Sequence, residues 1–210
     1  MTSDVTQIPP DEALSRVGDL ESLEAALGPL PAPTARPVLV VISGLPGAGK
    51  SHFSRLLVHR LPLALIQSDV MRKALFPSPS YSAPESAHLF GTCHALIERL
   101  LKRGVSVLFD ATNLVESKRE ILYHIAYQLG VALVLVYVKA PPEVVKQRLQ
   151  KRSEEADARD SSDADWSVYQ KMRPQVEPIK HSHLVVDTSK DLAPALSRVA
   201  RAIKQGMRLQ

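Results

Sequence analysis

The chain has 210 residues, 45% apolar and 23% charged, with a net charge of +4. That length suits one domain with its own core, and the mild positive balance favours anionic partners without naming one. No apolar run approaches the ~18 residues of a membrane helix, the N-terminus lacks the basic and apolar regions of a signal peptide, and a single cysteine, Cys93, allows no intrachain disulfide, so a cytoplasmic location is expected.

In chain order, residues 1–10 read as a polar tail. Leu14, Val17, Leu20, Leu23 and Leu27 recur at helical spacing and predict a helix over 11–27, stopped by Gly28-Pro29. Pro29, Pro31, Pro33 and Pro37 make a stiff connector. Residues 1–36 are thus set apart as an extension to a domain over 37–210. The helix is expected to pack on the outside of that domain; a docking or homodimerising arm is the alternative.

Val38–Ser43 is a continuous apolar, β-branched run and predicts a buried strand. Directly after it stands Gly44-Leu45-Pro46-Gly47-Ala48-Gly49-Lys50-Ser51, a full match to G-x-x-x-x-G-K-[ST]. A helical period follows through Arg60. Between a strand and a helix, such a loop turns its N–H groups onto phosphate oxygens, and the helix start adds partial positive charge. Lys50 would reach the β- and γ-phosphates, and the Ser51 hydroxyl would bind Mg²⁺. ATP and Mg²⁺ are the expected cofactors.

A second strand is predicted over 63–67, then a helix over 70–76 capped by Ser68-Asp69. Asp69 could instead take the proton of an acceptor hydroxyl, and Arg72, one turn on, could hold the acceptor. Residues 77–82 read as a loop and 83–102 as a helix stopped at Gly104. A third strand over 105–109 delivers Asp110-Ala111-Thr112-Asn113. Asp110 would support Mg²⁺ and the acceptor, and Asn113 would contact substrate at the crevice edge. Because Ala111 follows Asp110, the glutamate that positions hydrolytic water in mechanical ATPases is absent there.

A helix over 116–129, a fourth strand over 131–138, a helix from Pro141-Pro142 through Arg152, a helix over 166–172, a fifth strand over 183–186 and a helix over 195–207 complete the pattern. Arg148 and Arg152 share a helix face and, with Arg159, suit a lid over about 148–172 that closes on ATP. Trp166 and Tyr169 would pack that lid. Apolar strands alternating with helices predict an α/β three-layer sandwich around a parallel sheet, with the site at the strand C-termini.

With these residues in place, the chain resembles the P-loop kinases grouped around polynucleotide 5′-kinase and the zeta-toxin-like kinases. The resemblance covers about residues 38–188. It rests on the phosphate loop, Asp69-x-x-Arg72, Asp110-Ala111-Thr112-Asn113, Arg148-x-x-x-Arg152 and Ser162-Asp163-Ala164. It implies a five-stranded sheet of order 2-3-1-4-5, Asp69 as general base, Arg72 as acceptor contact and Arg152 as lid cation. The implied reaction moves the γ-phosphate of MgATP to a hydroxyl of a small metabolite or a nucleic acid 5′ end. A small acceptor is favoured slightly, because no aromatic-basic run for stacking single strands is present. A nucleotide-driven switch acting on a protein partner is the second reading.

Overall fold

The computed structural model describes residues 10–155 and 164–208. The tail residues 1–9 and the expected lid residues Arg159, Ser162 and Asp163 lie outside them.

Each apolar run becomes a strand: β1 (Val38–Ser43), β2 (Ala64–Gln67), β3 (Val107–Asp110), β4 (Ala132–Lys139) and β5 (Leu184–Asp187). The four strand pairings are parallel, and the order is β2-β3-β1-β4-β5, as the resemblance implies. β1 lies in the middle and is buried along its whole length, which is why its sequence is apolar without alternation. Its side chains still alternate in direction. Leu39 and Val41 join one core cluster, and Val38, Val40 and Ile42 join the other.

The helices are α1 (Pro10–Ala25), α2 (Lys50–Val58), α3 (Ser68–Leu75), α4 (Ala83–Lys102), α5 (Glu116–Gln128), α6 (Pro142–Glu155), α7 (Trp166–Met172) and α8 (Ala193–Gly206). A 3-10 turn, Arg173–Gln175, follows α7. Residues of α4 and α5 fill the cluster on one face of the sheet, and residues of α2 and α8 fill the other. The helix α1 lies against α3 and α4 of its own chain. Leu23 is fully buried in the first cluster, and Glu24 pairs with Arg99 and Arg103 of the α4 end. The expectation of packing on the domain surface therefore describes α1, and its Leu20–Leu27 face is covered within the chain. Among the described residues, no helix is long and apolar enough to cross a membrane.

Two registers position the site. Asp110 stands opposite Ile42 of β1 and Gln67 of β2, in one row at the strand C-termini. β3 thus runs one residue past its expected end and holds Asp110 inside the ladder. At β2 the chain enters α3 at once: Gln67 is the N-cap, with no side-chain cap bond, and Ser68 is already helical. The expected capping by Ser68-Asp69 does not occur, so Asp69 sits in the first turn of α3.

Candidate active site

The phosphate loop is shaped by what surrounds it. Gly44 has φ 153°, and a Cβ there would lie 2.2 Å from the Val138 carbonyl oxygen, so only glycine lets β1 leave the sheet at this point. Its N–H donates to Thr112 O at 3.0 Å, which ties the loop to the segment just after β3. Gly49, in the left-handed region, precedes α2 without a side-chain cap. The first N–H groups of α2 have no intrahelical partner and are placed to hold an anion. Lys50 Nζ donates back to Leu45 O at 3.1 Å, arching over the loop it serves.

The lid rests on this loop. A Cβ at Gly47 would meet Val145 and Leu149 of α6 at 2.8 and 2.9 Å. Val145, Leu149 and Tyr169 are buried together, with Leu45 and Trp166 packed against them, and the Trp166 and Tyr169 rings stack 4.7 Å apart. Arg148 donates to both the hydroxyl and the carbonyl of Thr188, each at 2.8 Å. The same hydroxyl donates to Ala48 O at 2.8 Å. Thr188, just past β5, therefore links the lid to the phosphate loop. Composition and period say nothing of it; its one signal is a hydroxyl residue directly after a strand C-terminus. Arg152 donates to Ala164 O, across the lid.

One cleft of about 600 Å³ gathers Lys50, Ser51, Asp69, Asp110, Arg148 and Arg152 on its walls. Asp110 is 3% exposed, and Gln67 Nε2 donates to its Oδ2 at 3.1 Å. The Ser51 hydroxyl and the Asp110 carboxylate on one cleft wall are hard oxygen donors of the kind Mg²⁺ takes, so this donor set fits the metal. Gln67 was not foreseen as a site residue; it follows from the register that pairs it with Asp110.

Two expected substrate contacts read differently in place. Arg72 lines the cleft but is itself largely buried and ion-paired with Glu85. It also donates to Ser86 Oγ at 3.3 Å and lies 4.8 Å from the Tyr81 ring centroid. Burial tends to raise the Glu85 carboxyl, but hydrogen bonds from the Ser80 hydroxyl and N–H, Arg72 and the Tyr81 N–H outweigh it and hold it down at about 2. An acceptor therefore meets an arginine whose charge is already balanced. Asn113 does not line the cleft. Its side chain donates to Ile42 O at 2.8 Å, its φ is 44°, and its carbonyl accepts from Ser43 Oγ at 2.9 Å and from Arg119 at 2.6 Å. In this position it pins the β3 end to β1, because Asn tolerates the left-handed turn and its amide reaches the neighbouring strand. Arg119, 1% exposed, braces that turn and also holds the carbonyls of Glu177 and Pro178.

A family model described as an AAA domain matches residues 39–179. The chain belongs to that family. The matched part of this AAA domain runs from β1 to the connector after the lid and leaves out α1 and α8. The domain is 28% identical over 116 residues to an L-seryl-tRNA(Sec) kinase of Methanococcus maripaludis, covering 53% of this chain and 44% of that protein. It is 28% identical over 111 residues to an adenylyl-sulfate kinase of Myxococcus xanthus, covering 51% of this chain and 60% of that protein. The alignments thus span about half of each of those relatives. The fold matches the Mycobacterium tuberculosis APS kinase CysC, solved with AMPPNP and APS, with a TM-score of 0.61, 18% identity and coverage of 82% of this chain and 99% of that one. It also matches Chaetomium thermophilum Kti12, solved with ADP-AlF3, with a TM-score of 0.64, 20% identity and coverage of 80% and 98%. A five-stranded parallel sheet wrapped by helices is therefore a P-loop kinase fold in this chain.

Proposed function

We propose that this AAA domain is an ATP-dependent kinase that transfers the γ-phosphate of MgATP to a hydroxyl group. The observation that carries the reading is that Asp69, Asp110, Lys50 and Ser51, from three different strand ends, line one cleft. Lys50 and the first N–H groups of α2 hold the donor phosphates. Ser51 and Asp110 hold Mg²⁺, which offsets charge on the transferring group. Asp69 accepts the proton of the acceptor hydroxyl as its oxygen bonds to the γ-phosphorus and the bond to the ADP oxygen breaks. Arg148 and Arg152 add positive charge from the lid, where it stabilises the spread-out charge of the transition state. The kinase activities of the two curated relatives support the reaction class, and Asp69 on the cleft wall supports an alcohol acceptor. The buried thiol of Cys93, pushed up to about 12 by burial, suits a reducing cytoplasm.

A docking arm at α1 would favour the switch reading, but the apolar face of that helix is covered by α3 and α4. Screening nucleosides, oligonucleotide 5′ ends, sugars and aminoglycosides with labelled ATP identifies the acceptor. On that acceptor, Asp69→Asn is expected to keep MgATP binding and to lower turnover by about 10²- to 10⁴-fold. Turnover at the original rate would remove Asp69 from the base role.

A further inference from the structure

Carboxylates are absent from two segments of this chain. Between Glu24 and Asp69, and again after Asp191, the sequence has no Asp or Glu. The fold brings these segments together, since α2 belongs to the first and α8 to the second, and the two helices are in contact. On α2 and at its C-cap, His52, Arg55 and His59 follow at intervals of three and four residues and so share one face. All three are exposed, and His52 and Arg55 line the mouth of the transfer cleft. Arg60, two residues past α2, faces a separate hollow of about 720 Å³ that is also lined by Arg201, Lys204 and Arg208. Among the described residues, Arg55, Arg60, Arg201 and Lys204 have no carboxylate partner within ion-pairing distance.

We propose that this strip is a nucleic-acid surface, taking the phosphate backbone of a strand whose end reaches the transfer cleft. Arg201, Lys204 and Arg208 stand three and four residues apart around the hollow that Arg60 also lines; cations at that spacing repel one another, and the ends of two helices account for only part of such an excess. A line of phosphates relieves all of it at once. The geometry is that of a track: the charge runs from Arg55 at the cleft mouth to Arg60 at the hollow, and Arg201, Lys204 and Arg208 continue it. A bilayer is the poorer fit, because the cations line a hollow, and the exposed large apolar residues, Val17, Tyr81, Ile121, Tyr127 and Val185, all lie off the strip. The surface stands without the kinase reading; only its use in delivering a hydroxyl to Asp69 rests on that reading.

The test is binding, measured without nucleotide. The probe is a fluorescein-labelled single-stranded RNA oligonucleotide long enough to span α2 and the α8 hollow. Fluorescence anisotropy over a salt series is expected to show an affinity that falls by about 0.7 log units per log unit of salt for each phosphate contacted. Arg60→Ala/Arg201→Ala/Lys204→Ala is expected to weaken binding on the order of tenfold or more and to lower that slope by about two. Arg60→Lys/Arg201→Lys is expected to retain both. An unchanged thermal shift with MgATP shows that the triple variant is folded with its donor site intact. Absence of RNA binding by the wild type at low salt, equal affinity and slope in the triple variant, or displacement of the RNA by phosphatidylserine vesicles would each overturn the proposal. If RNA binds as expected while no acceptor is phosphorylated, the kinase reading fails alone.

Discussion

Arg119 carries more of this structure than its place in a helix suggests. It is a buried cation held by Glu116 through a pair at 2.6 Å, and it donates to the backbone carbonyls of Asn113, Glu177 and Pro178. Burial works to raise the Glu116 carboxyl, but hydrogen bonds from Arg119 and the Lys180 N–H bring it below the usual range. Removing one member of a buried pair leaves the other uncompensated and costs about 3–5 kcal/mol. Arg119→Met is expected to lower the unfolding free energy by that amount in urea titration, and Arg119→Met/Glu116→Gln to recover part of it. The same buried turn explains Asn113. A strand-end asparagine in a sequence suits a substrate contact and a structural tie equally well, and the choice depends on whether a neighbouring strand offers a carbonyl. Here Ile42 does.

At the scale of elements, the loop between α3 and α4 borders the cleft, where Tyr81 lines it. Ser82 caps α4 by accepting from the Glu85 N–H, and Glu85 turns back to Ser80, Tyr81 and Arg72. Ser82-x-x-Glu85 is a capping-box pattern, and it is the signal in the sequence that points to an ordered loop. Tyr81 has φ 54°, a conformation that costs a residue with a side chain about 1–2 kcal/mol; its N–H bond to Glu85 and its ring over Arg72 hold it there. Glu85 titrates from about 4.5 in the unfolded chain to about 2 in the folded one. A depressed carboxyl contributes stability that is fully present above pH 4.5 and is lost as pH falls from there through 2. Urea midpoints are therefore expected to drop over that window, and Glu85→Gln to flatten the drop while lowering the midpoint at neutral pH.

For the whole molecule, the α1 extension and the AAA domain share one core. The family match begins at residue 39, yet Leu23 is fully buried in the same cluster as Leu39, Phe109 and Leu96. Leu23→Ala is expected to cost about 2–5 kcal/mol and to shift the entire unfolding transition of this small domain. Circular dichroism during thermal melting checks this: a single transition at lower temperature is the expected result, and an early separate loss of one helix would show that α1 folds apart.

Much of this was legible from residue order alone. Five apolar runs separated by helical periods define a parallel sheet, because strands covered on both faces cannot alternate polar and apolar residues. The phosphate loop declares itself because three glycines, a lysine and a serine act within one turn of chain. Such signals are local, and short spacing carries them. The strand order entered only through resemblance, since period and composition do not say which strands are neighbours. Other properties depend on residues far apart in sequence. Thr188 joins the lid to the phosphate loop, Glu85 balances Arg72, Asn113 turns inward, and cations of α2 and α8 form a strip from two segments without carboxylates. Each of these is set by which strand or helix becomes a neighbour, and only the tertiary structure decides that.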